Sequence, residues 1–181
     1  MFENFGECLF VCIRSNSDQK LGKIITRFWR NDVVYHLKIC SHTRFLRPNY
    51  DLDQLDLNPD LIIIGNVMSR GMPLVEAILN SDIPYTSGPE WLGNNILKDR
   101  TVIAVSGTHG KTTTASLIAF ILQDLGYDPG YLIGGVPIGF PSSATKGSDL
   151  YFVIEADEYD TAFFDKRSKF IHYTPNFLVI N

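Results

Sequence analysis

The stretch "RTVIAVSGTHGKTTTASLIAFILQDLG" (residues 100–126) narrows the choice of fold more than any other. "TVIAV" is apolar at consecutive positions, so both faces of the strand it predicts must be buried. A strand buried on both faces belongs inside a parallel sheet covered by helices. After a short glycine-containing turn the period changes. Between Thr112 and Gly126, Leu117, Ile118, Ile121, Leu122 and Leu125 recur at helical spacing, which predicts one core-facing stripe, and Gly126 supplies the stop.

The same alternation runs through the chain from about Asp60. "DLIIIGN" (Asp60–Asn66) is a short apolar strand, and "MPLVEAILNSD" (Met72–Asp82) has helical spacing. "IPYTSG" (Ile83–Gly88) reads as a strand and turn, and "PEWLGNNILKD" (Pro89–Asp99) as a helix with Pro at its first position. "DPGYLIGG" (Asp128–Gly135), "DLYFVIEAD" (Asp149–Asp157) and "NFLVIN" (Asn176–Asn181) supply further strands. Strand and helix in alternation predict an α/β fold with a mainly parallel sheet. The chain has 181 residues, enough for two small units, and the boundary is expected near Lys98–Thr101.

Composition removes several functions. A net charge of -4 argues against a general nucleic-acid binder, which carries a basic stripe. Cys8, Cys12 and Cys40 lack metal-ligand spacing and read as reduced thiols of a cytoplasmic protein. No apolar run approaches the ~18 residues of a membrane span. The start has acidic residues before its short apolar run, unlike a secretory signal.

Strand, glycine turn, Lys-Thr and helix together form a phosphate-loop context. Gly107 and Gly110 let the backbone approach an anion without a Cβ clash, and the helix start faces it with unpaired N–H groups. Lys111 supplies a point charge for terminal phosphates, and the Thr112 hydroxyl suits Mg²⁺. The pattern G-T-H-G-K-T-T is tighter than G-x-x-x-x-G-K-[ST], which would place glycine where Val105 stands. Lys111 is expected at an exposed junction, so its loss should cost the fold little. The second constellation is "FVIEADEYD", where an apolar strand delivers Glu155, Asp157, Glu158 and Asp160. Glu155 leaves the strand first and is the leading Mg²⁺ ligand. Glu158 and Asp160 suit a solvated acidic turn equally well.

"GTHGKTTT", "IGGVP" and "EADEYD" resemble the Mur ligases, ATP-dependent enzymes that build the peptide stem of bacterial cell-wall precursors. "EADEYDTAFFDKRSKFIHYTPN" and "IIGNVMSRGMPLVEAIL…IPYTSGPEWL" resemble the peptidoglycan-recycling branch. That branch joins UDP-N-acetylmuramate to the tripeptide L-alanyl-γ-D-glutamyl-meso-diaminopimelate through an acyl phosphate. The resemblance implies a Rossmann-like UDP-sugar domain over residues 1–99 and the first part of a P-loop ATP-binding domain over residues 100–181. It assigns Gly107, Thr108, His109, Gly110, Lys111, Thr112 and Thr113 to the ATP phosphates, with Lys111 catalytic. Thr112 and Glu155 are assigned to Mg²⁺, and Ser69, Arg70 and Pro73 to the UDP-sugar.

The chain departs from the family in two places. The family's glycine-rich turn near its start has no counterpart among Gly6 and Gly22, and the basic, aromatic run "RFWRNDVVYHLKICSHTRF" reads as a divergent start or a shifted reading frame in preference to a nucleic-acid patch. The family's later histidine, lysine and third domain do not follow "LVIN". The chain is therefore expected to be an inactive N-terminal fragment, completed by a further portion or self-associating through an open sheet edge. The alternatives are a UDP-N-acetylmuramate–L-alanine ligase fragment and a non-catalytic nucleotide-binding module.

Overall fold

In a computed structural model, strands β1 (Glu7–Cys8), β2 (Val11–Ile13), β3 (Ile25–Arg30) and β4 (Val33–Lys38), a 3-10 turn (Leu52–Leu57) and residues 59–181 are described. Cys40 and the glycines Gly6 and Gly22 lie outside the described residues, as do the side chains of Cys8 and Cys12. The chain divides into two compact units, Met1–Gly88 with Thr161–Asp165, and Pro89–Asp160 with Lys166–Asn181.

In the first unit, β5 (Leu61–Ile64) pairs parallel with β6 (Tyr85–Ser87) and antiparallel with β2. β3 pairs antiparallel with β1 and with β4. Helix α1 (Pro73–Leu79) begins with proline at its start, where no N–H is needed. Its Leu74, Val75 and Ile78 join Ile62, Ile64 and Met68 in one core, as the apolar run and the helical spacing require.

In the second unit, helix α2 (Gly88–Leu92) continues as a π-helical turn (Gly93–Leu97). Residues 89–99 group with this unit, about ten positions before the boundary expected from sequence. The physical reason is close packing. A Cβ on Gly93 would lie 2.2 Å from the His172 carbonyl oxygen, so the turn is pressed against α4 (Lys169–Tyr173).

The main sheet has the order β13 (Phe177–Ile180), β7 (Thr101–Ser106), β10 (Tyr151–Glu155), β8 (Gly130–Leu132), β9 (Ala144–Thr145). The first four strands run parallel and β9 antiparallel. β11 (Asp160–Ala162) and β12 (Asp165–Ser168) form a separate two-stranded sheet. β7 feeds helix α3 (Lys111–Asp124), and the chain returns through β8, skipping the place that β10 occupies. β13 lies on the other side of β7, so the order reverses around β7. In open parallel sheets a ligand crevice forms outside the carboxyl ends at such a reversal.

The face of α3 differs from the expected one. Ala115 and Ala119 are its buried residues, with Ile118 and Leu122 packed beside Val105, Tyr131, Ile133, Phe140 and Val153. Leu117, Ile121 and Leu125 are 56%, 47% and 67% exposed. Two alanines one turn apart let the helix lie close on the sheet, so the large residues flank the seam instead of filling it.

Candidate functional site

Register brings the two constellations together. Glu155 pairs with Val105 across β10 and β7, so the acids leave β10 beside the loop that leaves β7. The Ala156 amide donates to the Val105 carbonyl at 2.9 Å, extending the pairing to the loop's edge.

Gly107 has φ +133° and Gly110 has φ +76°, backbone conformations that side-chain-bearing residues rarely adopt. Gly110 is the N-cap of α3 and offers no capping side chain. Its carbonyl accepts from the Thr114 amide at 2.9 Å. Thr108, His109 and Thr113 are exposed, and Thr112 is half-buried.

Lys111 is not at an exposed junction: its side chain is 14% exposed. The chain folds back so that Nζ donates to the Gly107 carbonyl at 2.6 Å, and Nζ lies 3.5 Å from Asp157 Oδ1. The expectation of a cheap surface lysine is corrected by this burial, which follows from β10 delivering an acid next to the loop.

Glu155 Oε1 accepts from the Gly134 amide at 2.8 Å, while Oε2 is buried without a hydrogen-bond partner. Burial pushes its carboxyl above the ordinary carboxylate range. The Gly134 N–H and the Thr112 hydroxyl pull it back, nearby Asp157 pushes it up, and Lys111 pulls it down. A buried carboxylate oxygen with no partner is costly and suits a cation. Among the described residues no group of three or more His, Cys, Asp or Glu side chains could hold a metal alone. Mg²⁺ on a nucleotide needs only one or two carboxylates with phosphates and waters, so Glu155 and Thr112 fit that need.

Glu158 is exposed, and its carbonyl accepts from the Ser168 hydroxyl at 2.7 Å. Asp160 is exposed and paired with Lys166 at 2.9 Å. Both suit a solvated turn.

Three residues at this site were given no role by sequence. Asp157 was named among the four acids, and a signal for its role was there, since it lies two positions beyond Glu155 and extended chain places alternate residues on one side. Lys169 had none; its Nζ reaches Asp157 Oδ2 at 2.6 Å from twelve positions further along. Asn181 follows β13, and its Nδ2 donates to Thr114 Oγ1 at 2.9 Å and to the His109 carbonyl at 3.4 Å.

Ser69, Arg70 and Pro73 lie in the first unit, before and at the start of α1, and all three are exposed. Arg70 Nε and Nη2 donate to the two oxygens of Glu76 at 2.8 and 3.1 Å, and the Gly71 amide donates to Glu76 Oε1 at 2.7 Å. The bidentate pair holds the guanidinium in one orientation.

No family model matches the chain. Over 132 residues the chain is 61% identical to the UDP-N-acetylmuramate–L-alanyl-γ-D-glutamyl-meso-2,6-diaminoheptandioate ligase of Escherichia coli, covering 73% of this chain and 29% of that protein. The crystal structure of the same kind of ligase from Neisseria meningitides matches with a TM-score of 0.68 and 52% identity, over 73% of this chain and 45% of that one. The UDP-N-acetylmuramate–L-alanine ligase of a Psychrobacter species is 36% identical over 106 residues, covering 59% of this chain and 22% of that protein. The chain spans about 29% of the length of the first of these relatives. The lower identity leaves the L-alanine ligase alternative unfavoured.

Proposed function

The matched stretch of the chain belongs to the Mur ligase family, and from that premise we propose that the chain carries part of an ATP-dependent amide ligase acting on UDP-N-acetylmuramate. In the proposed reaction the muramate carboxylate accepts the γ-phosphoryl of ATP and becomes an acyl phosphate, with ADP as the leaving group. The α-amine of the L-alanine in L-alanyl-γ-D-glutamyl-meso-diaminopimelate attacks that carbonyl, phosphate leaves, and the amide forms. The 181 residues would comprise a sugar-binding portion over residues 1–99 and the first part of the nucleotide-handling portion over residues 100–181.

The observation that carries the reading is the placement of Lys111 at the carboxyl edge of two adjacent parallel strands, beside Glu155, whose Oε2 is buried and unpartnered. Lys111 would swing from the Gly107 carbonyl to offset charge on the transferring phosphoryl group, the kind of electrostatic stabilisation that dominates such transfers. The backbone from Gly107 to Thr113 would cradle the phosphates, with Thr108 and His109 at its open tip. Thr112 and Glu155 would hold Mg²⁺, which supplies charge neutralisation between phosphates. Ser69, Arg70 and Pro73 would face the UDP-sugar. Such chemistry belongs in the cytoplasm, where ATP and UDP-sugars are held; among the described residues no helix is long and apolar enough to cross a membrane.

Calorimetric titration of the chain with ATP, with and without Mg²⁺, tests the nucleotide reading, and no binding under either condition would reject it. The acceptor is tested in a polypeptide extended to the relatives' length. Release of phosphate with tripeptide and not with L-alanine is expected, and the reverse preference would select the L-alanine ligase.

A further inference from the structure

Both oxygens of Asp157 carry a lysine. Lys169 Nζ lies 2.6 Å from Oδ2, and Lys111 Nζ lies 3.5 Å from Oδ1. The Lys169 amide also donates to the Asp157 carbonyl at 3.3 Å, so this acid and this lysine are fixed to each other twice. The side chains of Lys111, Asp157 and Lys169 are 14%, 13% and 15% exposed, so little solvent screens them.

The two contacts are unequal. Lys169 makes the short one, and Lys111 spends its own short bond on a neutral carbonyl, Gly107 at 2.6 Å. A shielded carboxylate facing one lysine would draw it into a closed pair, and separating such a pair is costly. Two lysines share the one carboxylate of Asp157, and its short contact goes to Lys169, so Lys111 is the more loosely held of the two. We infer that Lys169 is a positioning residue: by taking up the charge of Asp157 it keeps Lys111 available to an incoming polyphosphate, without touching that polyphosphate itself. The inference rests on the reading of the loop as an ATP site.

The two routes by which Lys169 could act differ in one measurable way. If it acts through Asp157, its removal matters only while Asp157 is charged. If it acts on phosphate directly, its removal costs the same whether Asp157 is charged or not. A double-mutant cycle separates the two.

Calorimetry with ATP on the 181-residue chain gives the test. Lys169→Met should weaken ATP binding by about tenfold, within the usual range for coupled neighbours. Lys169→Arg should restore most of it, because charge at Asp157 is what is needed. In the Asp157→Asn background Lys169→Met should change affinity less than about twofold. Lys166→Met, an exposed lysine paired with Asp160, should change nothing. A loss with Lys169→Met that persists undiminished beside Asp157→Asn overturns the inference. Where Asp157→Asn does not fold, solvent exchange of the Lys111 ammonium protons, followed by NMR without nucleotide, decides in its place. Exchange should slow in Lys169→Met, as Lys111 closes on Asp157, and return in Lys169→Arg; unchanged exchange overturns the inference. That signal needs no ATP. A wild-type chain that fails to bind ATP would therefore reject the ATP site while leaving the lysine arrangement separately decided.

Discussion

Lys111→Met replaces a side chain that is 14% exposed and makes two polar contacts. Methionine keeps most of the aliphatic stem, so the packing loss is small. The first loss is the charged bond to the Gly107 carbonyl at 2.6 Å. Bonds to charged groups are worth about 1.5–3 kcal/mol. The second loss is the 3.5 Å contact with Asp157. Orphaning a buried charge would cost about 3–5 kcal/mol, but Asp157 keeps Lys169 at 2.6 Å, so only a small part of that applies. The expected net destabilisation is about 2 kcal/mol, well beyond the roughly ±0.5 kcal/mol of a surface change. Urea unfolding measures it as a shift in midpoint at constant slope. Lys166→Met provides the contrast: its ion pair is 68% exposed on the lysine side and should be worth less than about 1 kcal/mol. A Lys111→Met chain as stable as the wild type would refute the account of Lys111 as a half-buried, bonded group. The same titrations with ATP test its function. At 100-fold excess over Kd, ATP should stabilise the wild type by about 2.7 kcal/mol. An equal gain in Lys111→Met would remove the lysine from the nucleotide site.

Burial raises the Glu155 carboxyl, so its contribution to stability is full below the ordinary carboxylate pKa and is lost as pH climbs through the raised folded value. Glu155→Gln should flatten that slope and stabilise the metal-free chain at neutral pH, read from urea midpoints across acid to neutral pH. In ATP titrations Glu155→Gln should lose the Mg²⁺-dependent part of binding, while Asp160→Asn, exposed and paired with Lys166, does much less; equal losses would move the metal assignment to Asp160. Gly107→Ala should cost about 2–5 kcal/mol, because φ is +133° and a Cβ would lie 2.4 Å from the Asn181 carbonyl oxygen. Gly126→Ala, at φ +88° with nothing within 4 Å, should cost only the conformational part, about 1–2 kcal/mol; equal midpoints for the two would deny the close approach of Asn181. On α3, Leu117→Gln should stay within about 0.5 kcal/mol of wild type while Ala119→Leu overpacks the seam at about 1–3 kcal/mol, and the reverse order in thermal unfolding would restore the helix face read from sequence.

The sequence by itself determined the longer apolar elements, β5, α1, β6, β7, α3, β8, β10 and β13, while the short β9, β11, β12 and α4 had no counterpart in it. A short apolar run rich in β-branched and aromatic residues reads as a buried strand, so β7 and β10 were legible, and a glycine turn before Lys-Thr fixed where α3 begins. Local chemistry therefore gave the loop from Gly107 to Thr113 and the acid at Glu155. The face of α3 was not legible, because spacing alone shows where large apolar residues fall and cannot show that two alanines make the seam. The tertiary structure alone decided how charge is shared. The neighbouring places of β7 and β10 turn Lys111 from an apparent surface lysine into a half-buried, bonded one. The packing of α4 brings Lys169 onto Asp157, and the pairing of β13 with β7 brings Asn181 onto the loop. Each of these contacts joins residues distant along the chain. Their energies depend on separation and shielding in space, quantities that a linear order of residues does not contain.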